Sequence, residues 1–226
     1  MNGFYSIAID GPSGAGKSSL ARRLARELGF IYVDTGAIYR CVGLAAHRRG
    51  LDTKNEAEIG AMLPEIKIEM RYNADGEQRM FLDGEDVSSE IRLPEISICT
   101  SNAAALPNVR AYLLEMQRAM AQTHNVIMDG RDIGTVVLPG AELKIFLTAS
   151  PEARAERRLL ELRAKGVQAD YDEVLRDIRY RDEQDSGRST APLREADDAV
   201  RVDTSEIDFE QSAALLRSIV RERLGV

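Results

Sequence analysis

Apolar positions along the chain fall into two patterns. Short apolar runs read as strands: Phe4 to Ile9 and Phe30 to Val33 as buried ones, then Val126 to Asp129, Leu143 to Leu147 and Ala199 to Val202. Between them lie segments of helical period. Leu20, Leu24 and Leu28 share one face of a helix that starts near Lys17 and stops at Gly29. Leu106 to Gln122 and Phe209 to Leu224 are further helices, and Ser150-Pro151-Glu152 opens another, with Ser150 as cap and Pro151 in its first turn. Short strands alternating with helices predict right-handed βαβ units on a parallel sheet.

Two stretches break this rhythm. Ile66, Ile68, Met70 and Tyr72, then Met80 and Leu82, alternate around Asn73-Ala74-Asp75-Gly76, a hairpin signal that predicts an antiparallel insert over about 64 to 92. Residues about 150 to 190 are charged helices rich in arginine, and neither stretch has the pattern of a separate domain with its own core. No internal repeat, low-complexity tract or Pro/Ser-rich linker interrupts the sequence.

Composition narrows the class. The 226 residues, 44% hydrophobic and 30% charged, suit one large α/β domain or two small ones. No apolar run approaches the roughly 18 residues of a membrane span, and Met1 to Ile9 lacks a basic leader, so cytoplasmic residence is the expectation. Cys41 and Cys99 have no paired spacing, which argues against a zinc cage or disulfide framework. A net charge of -7 argues against binding long nucleic acid. Of the 30 basic residues 25 are Arg; either codon bias explains this or some guanidiniums read phosphate bidentately.

Gly11-Pro12-Ser13-Gly14-Ala15-Gly16-Lys17-Ser18 matches G-x-x-x-x-G-K-[ST] at every fixed position, after a strand and opening a helix. A chance match is expected in about one chain per hundred of this length. Its glycines let backbone N–H groups and a helix N-terminus face an anion. Lys17 would bridge the β- and γ-phosphates, facing solvent or ligand, and Ser18 would ligate Mg²⁺. Gly11, Pro12, Ser13, Gly14, Ala15, Gly16, Lys17, Ser18 and Ser19 are therefore the expected ATP-binding segment. The arginine-rich stretch after Ser150 fits a mobile lid, and no Asn-Lys-x-Asp of a GTPase is evident, so the loop points to a kinase.

Four further segments carry a family resemblance. With the phosphate loop, Asp34-Thr35-Gly36-Ala37-Ile38-Tyr39-Arg40, Asp129-Gly130-Arg131-Asp132-Ile133-Gly134-Thr135, Arg181-Asp182-Glu183-Gln184-Asp185-Ser186-Gly187-Arg188 and Val87-Ser88-Ser89-Glu90-Ile91-Arg92 resemble the bacterial cytidylate kinases nearly end to end. The resemblance implies a P-loop three-layer α/β fold with a five-stranded parallel sheet, an antiparallel hairpin insert in the acceptor-binding region, and a helical lid. It implies one domain, 1–226, with core 1–34, 106–149 and 190–226, an acceptor-binding region of about 35–105 and a lid of about 150–189. ATP, Mg²⁺ and CMP or dCMP are the implied ligands, and a monomer is expected.

By resemblance, Thr35, Arg40 and Arg131 hold the CMP phosphate, and Asp132 accepts from the cytosine amino group. Ser101, Arg110 and Arg188 donate to the base, and Asp185 with Arg181 contacts the sugar hydroxyls. Arg154, Arg158, Arg181 and Arg188 would reach ATP or the transferring phosphoryl group. Lys17, Arg131, Arg158, Arg181 and Arg188 are thus the candidate catalytic set. Read alone, each residue has a plainer alternative: Arg40 and Arg110 as surface cations, Ser101 and Asp132 as caps. Arg157 reads as structural, paired with Glu161 at helical spacing. Asp129 either places metal-bound water or orients Arg131. The acceptor phosphate is already ionised, so the reaction needs no general base, and His47 and His124 lie outside these motifs. The alternatives are a kinase for another small acceptor, such as UMP, AMP or shikimate, or a nucleotide-sensing module without turnover.

Overall fold

The computed structural model describes residues 3–164 and 166–225; residues 1, 2, 165 and 226, which the single-domain expectation also spans, lie outside the described residues. The chain opens with β1 (Ser6–Asp10), α1 (Lys17–Leu28), β2 (Ile31–Asp34), α2 (Thr35–Arg48) and α3 (Glu56–Met62). There follow β3 (Ile68–Tyr72), β4 (Gln78–Leu82), β5 (Glu85–Asp86), α4 (Pro94–Ala103) and α5 (Pro107–Thr123). The remainder is β6 (Val126–Gly130), β7 (Leu143–Thr148), α6 (Pro151–Ala164), α7 (Tyr171–Ser186), β8 (Val200–Asp203) and α8 (Phe209–Leu224). A π-helical turn, Ile133–Val137, lies between β6 and β7.

The expected five-stranded sheet is present, in the order β2-β6-β1-β7-β8. Parallel registers join β1 to β6, β1 to β7 and β7 to β8. Every residue of β1 is buried, and Val126, Ile127 and Met128 of β6 are fully so. Burial on both faces is why these strands read as unbroken apolar runs.

The chain divides into two compact units, Met1–Phe30 with Asn125–Val226, and Ile31–His124. In the first, Leu20 and Leu24 of α1 and Leu216 and Val220 of α8 are buried with the sheet. α6 and α7 share a small seam of Ala155, Val174 and Ile178, flanked by Leu162, Tyr171 and Leu175. This stretch was not expected to be a separate domain with its own core, and its charge density hides a seam only a few side chains wide.

In the second unit α2 is the central element, with Ile38, Cys41, Val42 and Leu44 fully buried. It crosses α4 closely at Gly43, where an added Cβ would lie 2.6 Å from Thr100 Oγ1 and 2.8 Å from the Thr100 nitrogen. The expected hairpin is β3 paired antiparallel with β4, Met70 opposite Met80. The expectation missed β5, which pairs with β4 and makes the insert three-stranded. Asp83 and Gly84 supply the turn, with φ of 52° and 87°. Two consecutive left-handed residues are what a two-residue hairpin turn demands, and Asp-Gly is a favoured pair. α4 likewise escaped the sequence pattern, because its amphipathic contrast is weak and its buried residues are few.

Candidate functional site

β1 runs directly into the glycine-rich loop. Gly11 has φ of 149°, and a Cβ there would lie 1.9 Å from the Leu147 carbonyl oxygen, so only glycine fits against β7. Gly16, left-handed at φ 87°, caps α1 without any side-chain bond. The first N–H groups of α1 therefore have no side-chain cap at this end, which is the arrangement that receives an anion.

Of the solvent or ligand that Lys17 was expected to face, it does not face solvent: it is 5% exposed, and its Nζ donates to the Pro12 carbonyl at 2.7 Å. Burial, and then the Arg131 charge, lower it to about 7, against the opposing pull of Asp129, Asp185 and Asp10. Ser18 Oγ donates to Asp129 Oδ2 at 2.8 Å. Asp129 is buried at the end of β6, so β6 supplies a carboxylate beside the hydroxyl that the motif assigns to a cation. Sequence alone left its role open. The Ser18 hydroxyl and the Asp129 carboxylate are the hard oxygens Mg²⁺ prefers, and Mg²⁺ ordinarily adds waters and substrate phosphates to one or two such ligands.

Beyond β6, Arg131 Nε donates to Asp185 Oδ2 at 2.6 Å, and Arg188 donates to Asp185 Oδ1. Burial works to raise the Asp185 carboxyl, but Arg131 and Arg188 outweigh it and hold it below the usual value. Loss of water, then the charges of Arg131 and Arg158, lower the Arg181 guanidinium. Mutually repelling guanidiniums close together are a site that a polyanion relieves. The structure thus brings Arg131, Arg181, Asp185 and Arg188 together within the first unit.

Arg154 is 2% exposed. It donates to Ala149 O, to Ser13 O of the phosphate loop at 3.0 Å, and through two nitrogens to Asp182. Nothing in the sequence singled out Asp182 as its partner. Arg158 is exposed and pairs with Glu161 at 3.1 Å. The expected Arg157–Glu161 pair is thereby corrected: Arg157 instead donates to Thr204 Oγ1 at 3.2 Å and Ile207 O at 3.4 Å, fastening α6 to the loop after β8. An open cleft of about 380 Å³ borders the phosphate loop at Pro12 and is lined by Phe146, Ser150, Arg154, Asp182, Arg201 and Ser205.

Asp132 stands at the N-cap position of the π-helical turn and is 5% exposed, yet its side chain makes no cap bond there. The plain reading of Asp132 as a cap is therefore wrong. Asp10 does that work from β1: its Oδ1 accepts from Ile133 N at 2.8 Å and its Oδ2 from Gly134 N at 2.7 Å.

In the second unit, Thr35 is the buried first residue of α2, just after Asp34, whose carboxylate accepts from Ala37 N at 3.0 Å. The insert holds this corner: Gln78 of β4 accepts from Asp34 N at 2.7 Å, and Tyr72 of β3 donates to Tyr32 O at 2.9 Å. In the sequence Tyr72 entered only through the hairpin alternation, and Gln78 did not stand out. Arg40, half-buried, donates to Ile91 O at 3.0 Å and Ser97 Oγ at 3.2 Å. Arg110 is buried on α5, donates to Ala104 O at 3.1 Å, and lies over the Tyr39 ring at 5.4 Å. Neither arginine is the loose surface cation of the plain reading. Ser101 lies in the last turn of α4, so it is not the cap its flanking residues suggest.

Comparisons with known proteins agree on one family. The family described as Cytidylate kinase matches residues 7–222. A protein of Syntrophotalea carbinolica named Cytidylate kinase is 48% identical over 226 residues, covering 100% of this chain and 96% of that one. Another of that name, from Pelotomaculum thermopropionicum, is 49% identical over 216 residues, with 96% of each covered. A solved structure of an uncharacterized protein from Eubacterium ventriosum aligns with TM-score 0.50 at 12% identity over 97% of this chain and 99% of that one, which bears on the fold alone. With its phosphate loop intact and matched almost end to end, the chain belongs to the cytidylate kinase family.

Proposed function

We propose that this chain transfers the γ-phosphoryl group of ATP to CMP or dCMP, giving the diphosphate by direct in-line displacement. The observation that carries the reading is the phosphate loop, with Lys17 and the Ser18–Asp129 pair in place, in a chain of the cytidylate kinase family. Backbone N–H groups of Gly11 to Ser19 cradle the donor phosphates, and Lys17 exchanges its bond to Pro12 O for phosphate oxygens. Ser18 and Asp129 would hold Mg²⁺, which would neutralise charge on the donor phosphates. Arg131, Arg158, Arg181 and Arg188 spread charge from the transferring group, and Arg154 fixes the loop through Ser13 O. The acceptor attacks through an ionised phosphate oxygen, so positioning and charge neutralisation are the protein's whole task.

On the acceptor side, we assign Thr35, Arg40 and Arg131 to the CMP phosphate and Asp185 with Arg181 to the sugar. Asp132, Ser101, Arg110 and Arg188 read cytosine, whose amino donor and two acceptors call for one carboxylate and several donors. We divide the chain functionally into a core (1–34, 106–149 and 190–226), an acceptor-binding region (about 35–105) and a lid (about 150–189). Among the described residues no helix is long and apolar enough to cross a membrane. The substrates support cytoplasmic residence, the charge of -7 supports action without long nucleic acid, and we take the enzyme to act as a monomer.

ADP release measured across a panel of nucleoside monophosphates tests the reading: turnover should be largest with CMP or dCMP. Turnover only with UMP, AMP or another acceptor, or none at all, would refute it. Asp132→Asn should lower the CMP:UMP ratio of kcat/KM by about 5- to 150-fold, the size of one buried donor–acceptor mismatch.

A further inference from the structure

Asp10, the last residue of β1, is assigned no contact with either substrate. It is 5% exposed, and both of its oxygens are committed to backbone N–H groups 123 and 124 residues away, those of Ile133 and Gly134. These are the leading N–H groups of the π-helical turn, a position where partners within the turn are lacking. A residue at the N-cap ordinarily supplies the acceptor. Here that residue is Asp132, and its side chain makes no cap bond. The carboxylate of β1 does the capping instead. A π-turn of this kind is a local irregularity that needs outside support, and such turns collect at functional sites.

We propose that Asp10 is a positioning residue for acceptor selection: by pinning the Ile133 and Gly134 amides it sets where Arg131 and Asp132 stand relative to the phosphate loop that Asp10 itself precedes. The inference rests on the reading of Arg131 and Asp132 as acceptor contacts. A carboxylate is needed because two N–H groups must be accepted at once; a carboxamide accepts one and turns an N–H against the other. The cost of the arrangement is visible, since burial, with a smaller push from Asp132, raises Asp10 to about 6 despite the two backbone bonds. Gly134 belongs to the same device. A Cβ there would lie 3.1 Å from Lys144 Cδ and 3.3 Å from Asp10 Oδ2, so an added methyl presses on the carboxylate and its neighbours must give by a few tenths of an ångström.

The test is the CMP:UMP ratio of kcat/KM, measured with the ATP KM, in Asp10→Asn and Gly134→Ala. The two acceptors share one phosphate chemistry, so the ratio cancels general loss of activity. Both variants should lower the ratio, Asp10→Asn by about tenfold and Gly134→Ala less, with the ATP KM changed by under about threefold. Amide exchange at Ile133 and Gly134 should quicken in Asp10→Asn. If Asp10→Asn does not fold, Gly134→Ala carries the same test. An unchanged ratio in the variants that fold, while Asp132→Asn shifts it, overturns the proposal. An unchanged ratio in Asp132→Asn as well overturns the acceptor reading beneath it. Equal losses toward ATP and CMP with a constant ratio would make Asp10 a support of the fold only.

Discussion

The phosphate loop and the face of α2, α4 and α5 that we assign to the acceptor are built from different materials. The loop presents backbone: Gly11 fits because it has no Cβ, Gly16 caps α1 without a side chain, and Lys17 folds back onto its own loop at Pro12. That face presents side chains, of which Arg40 is held by Ile91 O and Arg110 by Ala104 O. A backbone cradle fails entirely when one atom intrudes, whereas a face assembled from side-chain tips loses function in steps. The difference teaches where the chain tolerates change.

The sharpest break is Gly11→Ala, whose Cβ would lie 1.9 Å from the Leu147 oxygen at a backbone angle that L-residues rarely adopt. It should cost at least about 3 kcal/mol of stability and abolish ATP binding, read by chemical denaturation and by calorimetry. Retained ATP affinity would mean the loop is not the rigid cradle described. Next is Lys17→Ala, expected to lower kcat/KM by about 10²-fold or more while the free protein stays folded. Near-normal turnover would remove Lys17 from the catalytic set.

On the acceptor face, Arg110→Ala should lower kcat/KM for CMP by about 10- to 100-fold and leave the ATP KM nearly unchanged. Parallel losses for both substrates would erase the contrast between the two regions. Gly43→Ala is gentler: the new methyl wedges α2 from Thr100 of α4, costing about 1–3 kcal/mol. A few-fold rise in the CMP KM should accompany the lower Tm, and an unchanged KM would show that the helix crossing sets stability alone.

The smallest effect is one of pH. Lys17 lies near 7 in the folded chain and 10.5 when free, so between those values the unfolded chain binds more protons. This group's contribution to stability therefore rises with pH across that window. Melting Lys17→Met and the parent at pH 7 and pH 9 should show a flatter pH response in the variant. Identical responses would mean Lys17 is not held low.

Much of this was legible before any coordinates. The loop motif, the strands of the parallel sheet, the Gly29 stop and the Ser150 cap depend on residues adjacent in sequence, and each stands close to where its pattern puts it. The Asp83–Gly84 turn was equally local and was passed over only because β5 is two residues long. Family resemblance added roles for Arg40 and Arg110, but their burial and partners could not be read from helical spacing.

What the tertiary structure alone decided is which charges meet. Helical spacing paired Arg157 with Glu161, but Arg157 is drawn to carbonyl and hydroxyl oxygens 47 residues away and Arg158 takes the glutamate. Asp129 could have served Arg131 or a cation, and the parallel register of β6 beside β1 set it against Ser18. For Asp132 a cap was the plainer alternative, but the turn is held by Asp10 of β1. Local sequence determines backbone preference because it acts through the nearest few residues. The partner of a buried charge is chosen by desolvation, which exists only once distant segments have closed around it.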